Sequence, residues 1–129
     1  MVIDTSALLA ILQDEPERSR FTAAIAEAAQ RMMSAATLLE VAIVIEARHG
    51  VEGGRHLDLL LERAAVEIVA VDEEQVRTAR EAYRRFGKGR HSAGLNYGDC
   101  FSYALAHVLG ERLLFKGDDF AQTDAVPAA

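Results

Sequence analysis

The chain has 129 residues and a mass of 14.1 kDa, a length that suits one domain with a buried core. Its residues are 50% hydrophobic and 26% charged, and its net charge is −6. This balance excludes a surface that attracts nucleic acid on every side, although it is compatible with a local basic patch or a cluster of carboxylates. The single cysteine, Cys100, excludes an internal disulfide, so we expect a cytoplasmic protein with no membrane span.

The first residues predict a short buried strand that leads directly into a helix. Met1–Ile3 forms the strand, and Asp4, Thr5 or Ser6 is in position to cap a short apolar helix over Ala7–Gln13. We expect this strand at the centre of a sheet. An aspartate at the carboxyl end of a central parallel strand stands where open α/β sheets place their ligands.

The chain then predicts a second helix, a second strand and a strongly apolar third helix. Pro16 is predicted at the first position of the second helix, where a proline is tolerated. A buried strand over Arg31–Ala35 follows, and Thr37 is predicted to cap the next helix. Because Leu38–Ile45 is apolar apart from Glu40, we expect that helix to be deeply packed.

The second half of the chain continues the alternation of helices and strands. Gly50 is predicted to end one helix, and another leads to the clearest strand, Val66–Val71, after which Asp72 caps a further helix. A helix over Tyr97–Val108 and a fourth strand over Arg112–Phe115 complete the pattern. We therefore predict an α/β fold with a central, mainly parallel sheet between two layers of helices.

Acidic residues recur at the ends of the predicted strands and the starts of the predicted helices. Asp4 and the pair Asp118 and Asp119 follow strands, whereas Glu40 and Asp99 stand in the first turns of helices. In a parallel sheet all of these positions lie at the carboxyl edge of the strands, so we expect them to converge. It is this shared placement, more than any single residue, that indicates a site.

Each acidic residue also has a purely structural explanation. Asp4 fits a helix N-cap, and Thr37 with Glu40 fits the spacing of a capping box. The helix dipole favours Asp99 in a first turn, and turn chemistry accounts for an aspartate at position 118 or 119. These alternatives stay open beside the functional interpretation.

A cluster of carboxylates favours a hard divalent cation, because the ion relieves their mutual repulsion. All-oxygen ligands indicate Mg²⁺, or Mn²⁺, rather than zinc. Thr5 and Ser6 follow Asp4 and are placed to hydrogen-bond the carboxylates or the water ligands of the ion. Such a site suits phosphodiester hydrolysis by a metal-activated water, a reaction that requires no histidine base.

The acidic motifs resemble those of the PIN domain family. The resemblance rests on the opening VIDTSA, on Glu40 in mid-chain, on YGDC around Asp99 and on LLFKGDDF near the end. It extends over essentially the whole chain, residues 1–129, as a single PIN domain. Within the family the chain is most similar to the VapC toxins of bacterial VapBC toxin–antitoxin systems.

The resemblance implies a fold, an activity and partners. It implies a three-layer α/β/α fold and a Mg²⁺-dependent endoribonuclease that cuts tRNA or rRNA and so inhibits translation. Asp4 and Asp99 would be the metal ligands, and Glu40 would complete the catalytic pocket. A homodimer is also implied, together with a VapB-type antitoxin whose C-terminal segment covers the active site.

One part of the pattern departs from the family. Many members carry Thr-x-Asp where this chain has Phe115 and Gly117. The fourth catalytic acid is therefore expected at Asp119. Asp118 is a possible substitute and is otherwise expected among the hydrogen-bonding residues around the site.

A basic stretch precedes the loop that leads to Asp99. It includes Arg84, Arg85, Lys88 and Arg90, and its spacing fits either an RNA-binding surface or an ordinary solvated helix face. No ladder of aromatic residues accompanies it, so the sequence predicts no base preference. An open acidic pocket beside RNA also suggests that an antitoxin neutralises the carboxylates with an Arg or Lys side chain.

Two other functions compete with a ribonuclease. A phosphoacceptor signalling domain would use Asp72 and Lys116, but it needs paired acids after the first strand and a simpler alternation of strands and helices. A catalytically silent PIN-like RNA-binding scaffold is the main alternative, although all four acidic positions are filled here. The sequence thus favours a metal-dependent ribonuclease.

Overall fold

The computed structural model describes residues 1–129 and contains one four-stranded sheet in which all neighbouring strands are parallel. Its elements are β1 (Val2–Ile3), α1 (Thr5–Leu12), α2 (Arg18–Glu27), β2 (Met32–Ser34), α3 (Ala35–Arg63), β3 (Glu67–Val69), α4 (Glu73–Phe86), α5 (Tyr97–Leu109), β4 (Leu113–Leu114) and a 3₁₀ turn (Phe120–Gln122). The strand order is β3-β2-β1-β4, so β1 lies inside the sheet as predicted. None of the helices combines the length and the apolar character that a membrane span requires.

Each strand divides its side chains between two halves of the core, because neighbouring strand residues point to opposite faces of a sheet. Val2 and Leu113 pack with side chains of α4 and α5. Ile3 and Leu114 pack with side chains of α1, α2 and α3 on the other face. The predicted three-layer α/β/α fold is therefore confirmed.

The third helix begins earlier than predicted. Ser34, not Thr37, is its N-cap, and the Ser34 hydroxyl accepts a 3.3 Å hydrogen bond from the Ala36 N–H. Ser34 is also the last residue of β2, so the chain passes from strand to helix without a loop. Thr37 consequently lies inside the helix, where its hydroxyl is available to a partner from another element.

The prediction that Leu38–Ile45 is deeply packed is wrong for one face of α3. Val41 and Ile45 are buried in the core, whereas Leu39 and Ile43 are 62% and 60% exposed. Leu39 and Ile43 are four residues apart and therefore share the outer face of the helix. The run of apolar residues thus covers a core-facing stripe and an exposed one.

Of two further predicted helix boundaries, the one at Gly50 is confirmed and the one at Pro16 is not. Gly50 has non-helical φ 67° and ψ −163°, a conformation that glycine adopts without strain, so it separates the two helical parts of α3 at a kink. Pro16 precedes α2 instead of opening it, because the Arg18 N–H bonds the Glu15 carbonyl at 3.0 Å and forms a turn ahead of the helix. Neither the kink nor the position of Pro16 alters the order of the strands.

The carboxyl ends of the two inner strands and of β4 lie side by side. The Asp4 N–H donates a 3.0 Å hydrogen bond to the Leu114 carbonyl, which ties the end of β1 to the end of β4. Helices α1 and α3 begin directly after β1 and β2, and α5 packs against both of these strands. The starts of three helices therefore meet at one edge of the sheet.

Candidate active site

Asp4 is buried at the carboxyl end of β1, with only 3% of its surface exposed. It is the N-cap of α1, and its Oδ2 accepts hydrogen bonds from the Ser6 N–H at 3.0 Å and the Ser6 hydroxyl at 2.7 Å. The Ser6 oxygen accepts the Lys116 N–H at 3.0 Å. Asp4 is thus a helix cap and also a carboxylate fixed at the edge of the sheet.

The other carboxylate oxygen of Asp4 accepts a hydrogen bond from a residue of α5. Oδ1 accepts a 2.6 Å hydrogen bond from the Ser102 hydroxyl. Because Ser102 uses its proton in that bond, its oxygen is the acceptor in the 3.2 Å contact with Thr37 Oγ1. The two hydroxyl residues are buried, at 0% and 1% exposed. They form a directional chain of hydrogen bonds from α3 through α5 to Asp4.

Glu40 is partly buried near the start of α3. Its Oε1 accepts a 2.6 Å hydrogen bond from the Thr5 hydroxyl. The capping box proposed for Thr37 and Glu40 is therefore wrong, since both side chains bond to other elements. Glu40 Oε2 lies against the α-carbon of Gly98, where a methyl group would overlap it. Glu40 is thus held between α1 and α5.

Asp99 occupies the first turn of α5, in a capping box with Asn96. The Asn96 N–H donates to Asp99 Oδ2 at 3.0 Å, and the Asp99 N–H donates to Asn96 Oδ1 at 2.9 Å. The pKa of Asp99 is raised to about 6, chiefly by burial and against the hydrogen bond from Asn96. The charges of three further carboxylates also raise it: Asp4, Asp119 and Glu40. The charges of the other three predicted acids therefore all act on Asp99.

Asp118 and Asp119 are both exposed, but they differ in their relation to the other acids. Asp119 precedes the 3₁₀ turn, and its charge acts on Asp99. Asp118 is not among the charges that shift Asp99. Its backbone carbonyl instead accepts a 3.4 Å hydrogen bond from the Gln122 side chain. This difference favours Asp119 as the fourth acid.

No cationic side chain of the protein neutralises the four acids, because every ion pair in the structure forms elsewhere. Lys116 follows β4, but its ammonium pairs with Glu15 at 3.2 Å and Glu17 at 3.3 Å. No three His, Cys, Asp or Glu side chains are grouped closely enough to hold a metal ion between them. Mg²⁺ is usually bound by one or two carboxylates and several waters, so a pair of these carboxylates still fits it.

The predicted RNA-binding residues fall into two groups. Arg84 pairs with Glu81 at 3.5 Å, and Arg85 pairs with Asp124 at 3.6 Å. Lys88 and Arg90 are exposed and form no ion pair. The Lys88 N–H donates to the carbonyl of Leu95 at 2.8 Å, so the loop of residues 87–96 closes next to the Asn96 cap. The two free cations thus belong to the loop that leads to Asp99.

Sequence reasoning missed the part that Ser102, Thr37 and Gly98 play in the site. Ser102 follows Asp99 by three residues and Thr37 precedes Glu40 by three, so each hydroxyl lies on the same helix face as an acid. That spacing is a signal that the sequence does carry. Gly98 acts through the absence of a side chain, so only the structure reveals its role.

Comparison with known proteins gives one consistent family. A sequence model described as the PIN domain matches residues 1–126. Ribonuclease VapC30 of Mycobacterium tuberculosis is 61% identical over 129 residues, which cover 100% of this chain and 98% of the relative.

Two solved structures share the fold at low sequence identity. The M. tuberculosis toxin VapC20, described as cleaving the sarcin–ricin loop, matches with a TM-score of 0.78 at 18% identity, over 97% of this chain and 95% of its own. A toxin–antitoxin complex from Klebsiella pneumoniae matches with a TM-score of 0.73 at 18% identity, over 99% and 97%. At such identity the likeness shows the fold alone.

Proposed function

The chain belongs to the PIN domain family and, within it, to the VapC ribonucleases, and we propose that its acidic cluster binds Mg²⁺ for endoribonucleolytic cleavage. It is a ribonuclease toxin, a hydrolase of phosphodiester bonds. The observation that carries the metal proposal is a set of four interacting carboxylates with no cationic partner, one of which has a raised pKa. Placing so many like charges together is unfavourable unless a cation joins them.

We assign the two central carboxylates to the ion. Asp4 and Asp99 would hold Mg²⁺, with Mn²⁺ as a substitute, and water would complete the coordination. The bound ion supplies an acidified water for attack on the phosphodiester and positive charge against the charge that develops on phosphate. Ser6 holds Asp4, and Asn96 holds Asp99, so both carboxylates are oriented before any ion binds.

The other two acids act beside this pair. Glu40 has one oxygen bonded to Thr5, while Oε2 has no hydrogen-bond partner within the protein and is available to accept a proton from a water. Asp119 is exposed at the outer side of the cluster, where its negative charge adds to the attraction for a cation. Asp118, next to Asp119 before the 3₁₀ turn, is proposed to support the site by hydrogen bonds and not as an acid of the cluster.

RNA is proposed to approach along the loop of residues 87–96. Lys88 and Arg90 offer free positive charge there, which suits contacts with phosphates. Arg84 and Arg85 already pair with acids, so we give them a smaller share of the affinity. The choice of tRNA or rRNA as substrate rests on the family resemblance alone.

A VapB-type antitoxin is the proposed partner, and a homodimer the proposed assembly. An antitoxin that inserts an Arg or Lys among the four carboxylates would supply the missing cation and displace Mg²⁺. Leu39 and Ile43 leave an exposed apolar stripe on α3, which supports a protein contact. Co-purification with the product of the adjacent gene and light scattering of the isolated chain test these two proposals.

The competing function is a silent RNA-binding scaffold with the same fold. Incubation of the purified chain with total RNA, in Mg²⁺ or in EDTA, separates the two. The ribonuclease is expected to fragment RNA in Mg²⁺ and to leave it intact in EDTA. RNA that is bound but stays intact in Mg²⁺ would support the scaffold.

A further inference from the structure

Two helices each present an acid and a hydroxyl, three residues apart, on one face towards the site. On α5, Ser102 lies one turn after Asp99, and on α3, Thr37 lies one turn before Glu40. The two hydroxyls meet between the helices at 3.2 Å. This contact joins α3, which carries Glu40, to α5, which carries Asp99. The same Ser102 hydroxyl also donates to Asp4.

The direction of these bonds makes Ser102 the group that holds Asp4 Oδ1. Asp4, when ionised, can only accept, so the 2.6 Å bond uses the Ser102 proton. The Ser102 oxygen then accepts a hydrogen bond from the Thr37 hydroxyl, which has no other acceptor for its proton. Thr37 therefore fixes the rotation of the Ser102 hydroxyl, and Ser102 fixes Oδ1. Successive hydrogen bonds of this kind strengthen one another.

Ser102 is the single hydrogen-bond donor to Asp4 Oδ1. Oδ2 of Asp4 accepts two bonds from Ser6, whereas Oδ1 accepts only the one from Ser102. Asp4 is 3% exposed and Ser102 is 0% exposed, so bulk water cannot easily replace the lost bond. Without Ser102 the carboxylate keeps hydrogen bonds only at Oδ2, and the orientation of Oδ1 is no longer fixed by a partner.

We propose that Ser102, supported by Thr37, is a positioning residue that fixes the Asp4 carboxylate for the divalent cation and thereby sets the metal affinity of the site. This rests on the proposed function, in which Asp4 and Asp99 are the ligands. Partners that orient a metal ligand commonly change metal affinity by about tenfold or more when removed. The ion itself is not contacted by either hydroxyl in this proposal.

Isothermal titration of Mn²⁺ into the EDTA-stripped full chain tests the proposal. Ser102→Ala removes the bond to Oδ1, and Thr37→Val removes the supporting bond while it keeps the shape of the side chain. Thr37→Ser keeps the hydroxyl and is the conservative rescue. Ala104→Gly weakens the same helix at a buried position that gives no hydrogen bond to the Asp4 carboxylate, so it controls for lost stability.

We expect Ser102→Ala to weaken Mn²⁺ binding about tenfold and Thr37→Val to weaken it less. Thr37→Ser and Ala104→Gly are expected to keep the wild-type dissociation constant. In RNA cleavage, Ser102→Ala should need more Mg²⁺ for half-maximal rate, and saturating Mg²⁺ should restore most of the rate. Affinity for RNA in EDTA should not change, which separates metal positioning from a general loss of structure.

The proposal is overturned if Ser102→Ala binds Mn²⁺ like the wild type, or if Ala104→Gly weakens binding as much. If Ser102→Ala fails to fold, the Thr37→Val and Thr37→Ser pair decides, since equal affinities would contradict the proposal. Failure of the proposed function has a different pattern: Asp4→Asn and Asp99→Asn would then bind Mn²⁺ as tightly as the wild type.

Discussion

The carboxylate of Glu40 lies against the α-carbon of Gly98, so closely that a methyl group at position 98 would overlap Oε2. Gly98 precedes Asp99 in the first turn of α5, and Glu40 belongs to α3. Two helices that each carry a proposed catalytic acid therefore approach each other at a glycine. The close approach gives Gly98 a role in the site although it has no side chain.

Gly98→Ala is expected to displace the Glu40 carboxylate and to lower RNA cleavage by about a hundredfold, as Glu40→Gln should. The backbone of Gly98 is helical, so the alanine should fold. Gly54→Ala is the matched control, because its methyl group would lie 2.9 Å from the carboxylate of Glu46 on an exposed part of α3. That variant should gain about 0.5 to 1 kcal/mol of stability and cleave normally. Equal cleavage by Gly98→Ala and wild type would contradict this role.

Asp99→Asn should stabilise the metal-free protein at neutral pH. The folded state raises the pKa of Asp99 from 3.8 to about 6, so ionisation opposes folding. The resulting penalty is complete above pH 6 and disappears as the pH falls towards 3.8. Asp99 is partly exposed, so solvent screening limits the gain to about 1 kcal/mol, or about 4 °C in Tm.

Thermal melts of the two proteins in EDTA, between neutral and acidic pH, check this prediction. The asparagine can still accept the Asn96 N–H, so the helix cap is retained. We expect the advantage of the variant to shrink as the pH is lowered, and to shrink at neutral pH when Mg²⁺ is added. If Asp99→Asn is less stable than the wild type at neutral pH in EDTA, the claim that ionised Asp99 destabilises the metal-free fold is refuted.

Asp119→Asn is expected to slow RNA cleavage more than Asp118→Asn does. Only Asp119 adds its charge to the cluster around Asp99. Both residues are exposed and adjacent, so the two variants are matched in size, charge and burial. NMR titration of Asp99 supplies a second measurement, since its pKa should fall in Asp119→Asn and stay in Asp118→Asn. The reverse ranking in both measurements would make Asp118 the fourth acid.

The double variant Lys88→Gln with Arg90→Gln is expected to weaken RNA binding in EDTA. Loss of two phosphate contacts should reduce the slope of log affinity against log salt by about 1.4. Arg55→Gln is a suitable control, because Arg55 is an exposed cation that already pairs with Glu52 on α3. Fluorescence anisotropy with a labelled RNA at several salt concentrations measures both effects. An unchanged slope in the double variant would remove the loop from the RNA path.

The sheet and the convergence of the acids were predictable from the sequence, because the carboxyl ends of parallel strands share one edge. Asp4, Glu40 and Asp99 could be found at strand ends and helix starts without knowledge of the packing. Ser102 could not be assigned to Asp4 in that way, since 98 residues separate them in the chain. Such a contact depends on the packing of α5 beside β1.

The errors at α3 have a related physical origin. Ser34 and Thr37 are both good N-cap residues, and the choice depends on where β2 stops pairing with its neighbours. The exposure of Leu39 and Ile43 depends on which face of α3 meets α1, and a helix that is apolar on several faces does not reveal this. Local sequence therefore located the helix but not its orientation.

The rate of cleavage of a labelled RNA by the wild type, Asp4→Asn and Asp99→Asn, each in Mg²⁺ and in EDTA, tests the central claim most directly. We predict cleavage by the wild type in Mg²⁺, none in EDTA, and rates lower by at least about a hundredfold in both variants. Cleavage that survives EDTA, or variants that cleave at the wild-type rate, would contradict a metal-dependent site built on Asp4 and Asp99.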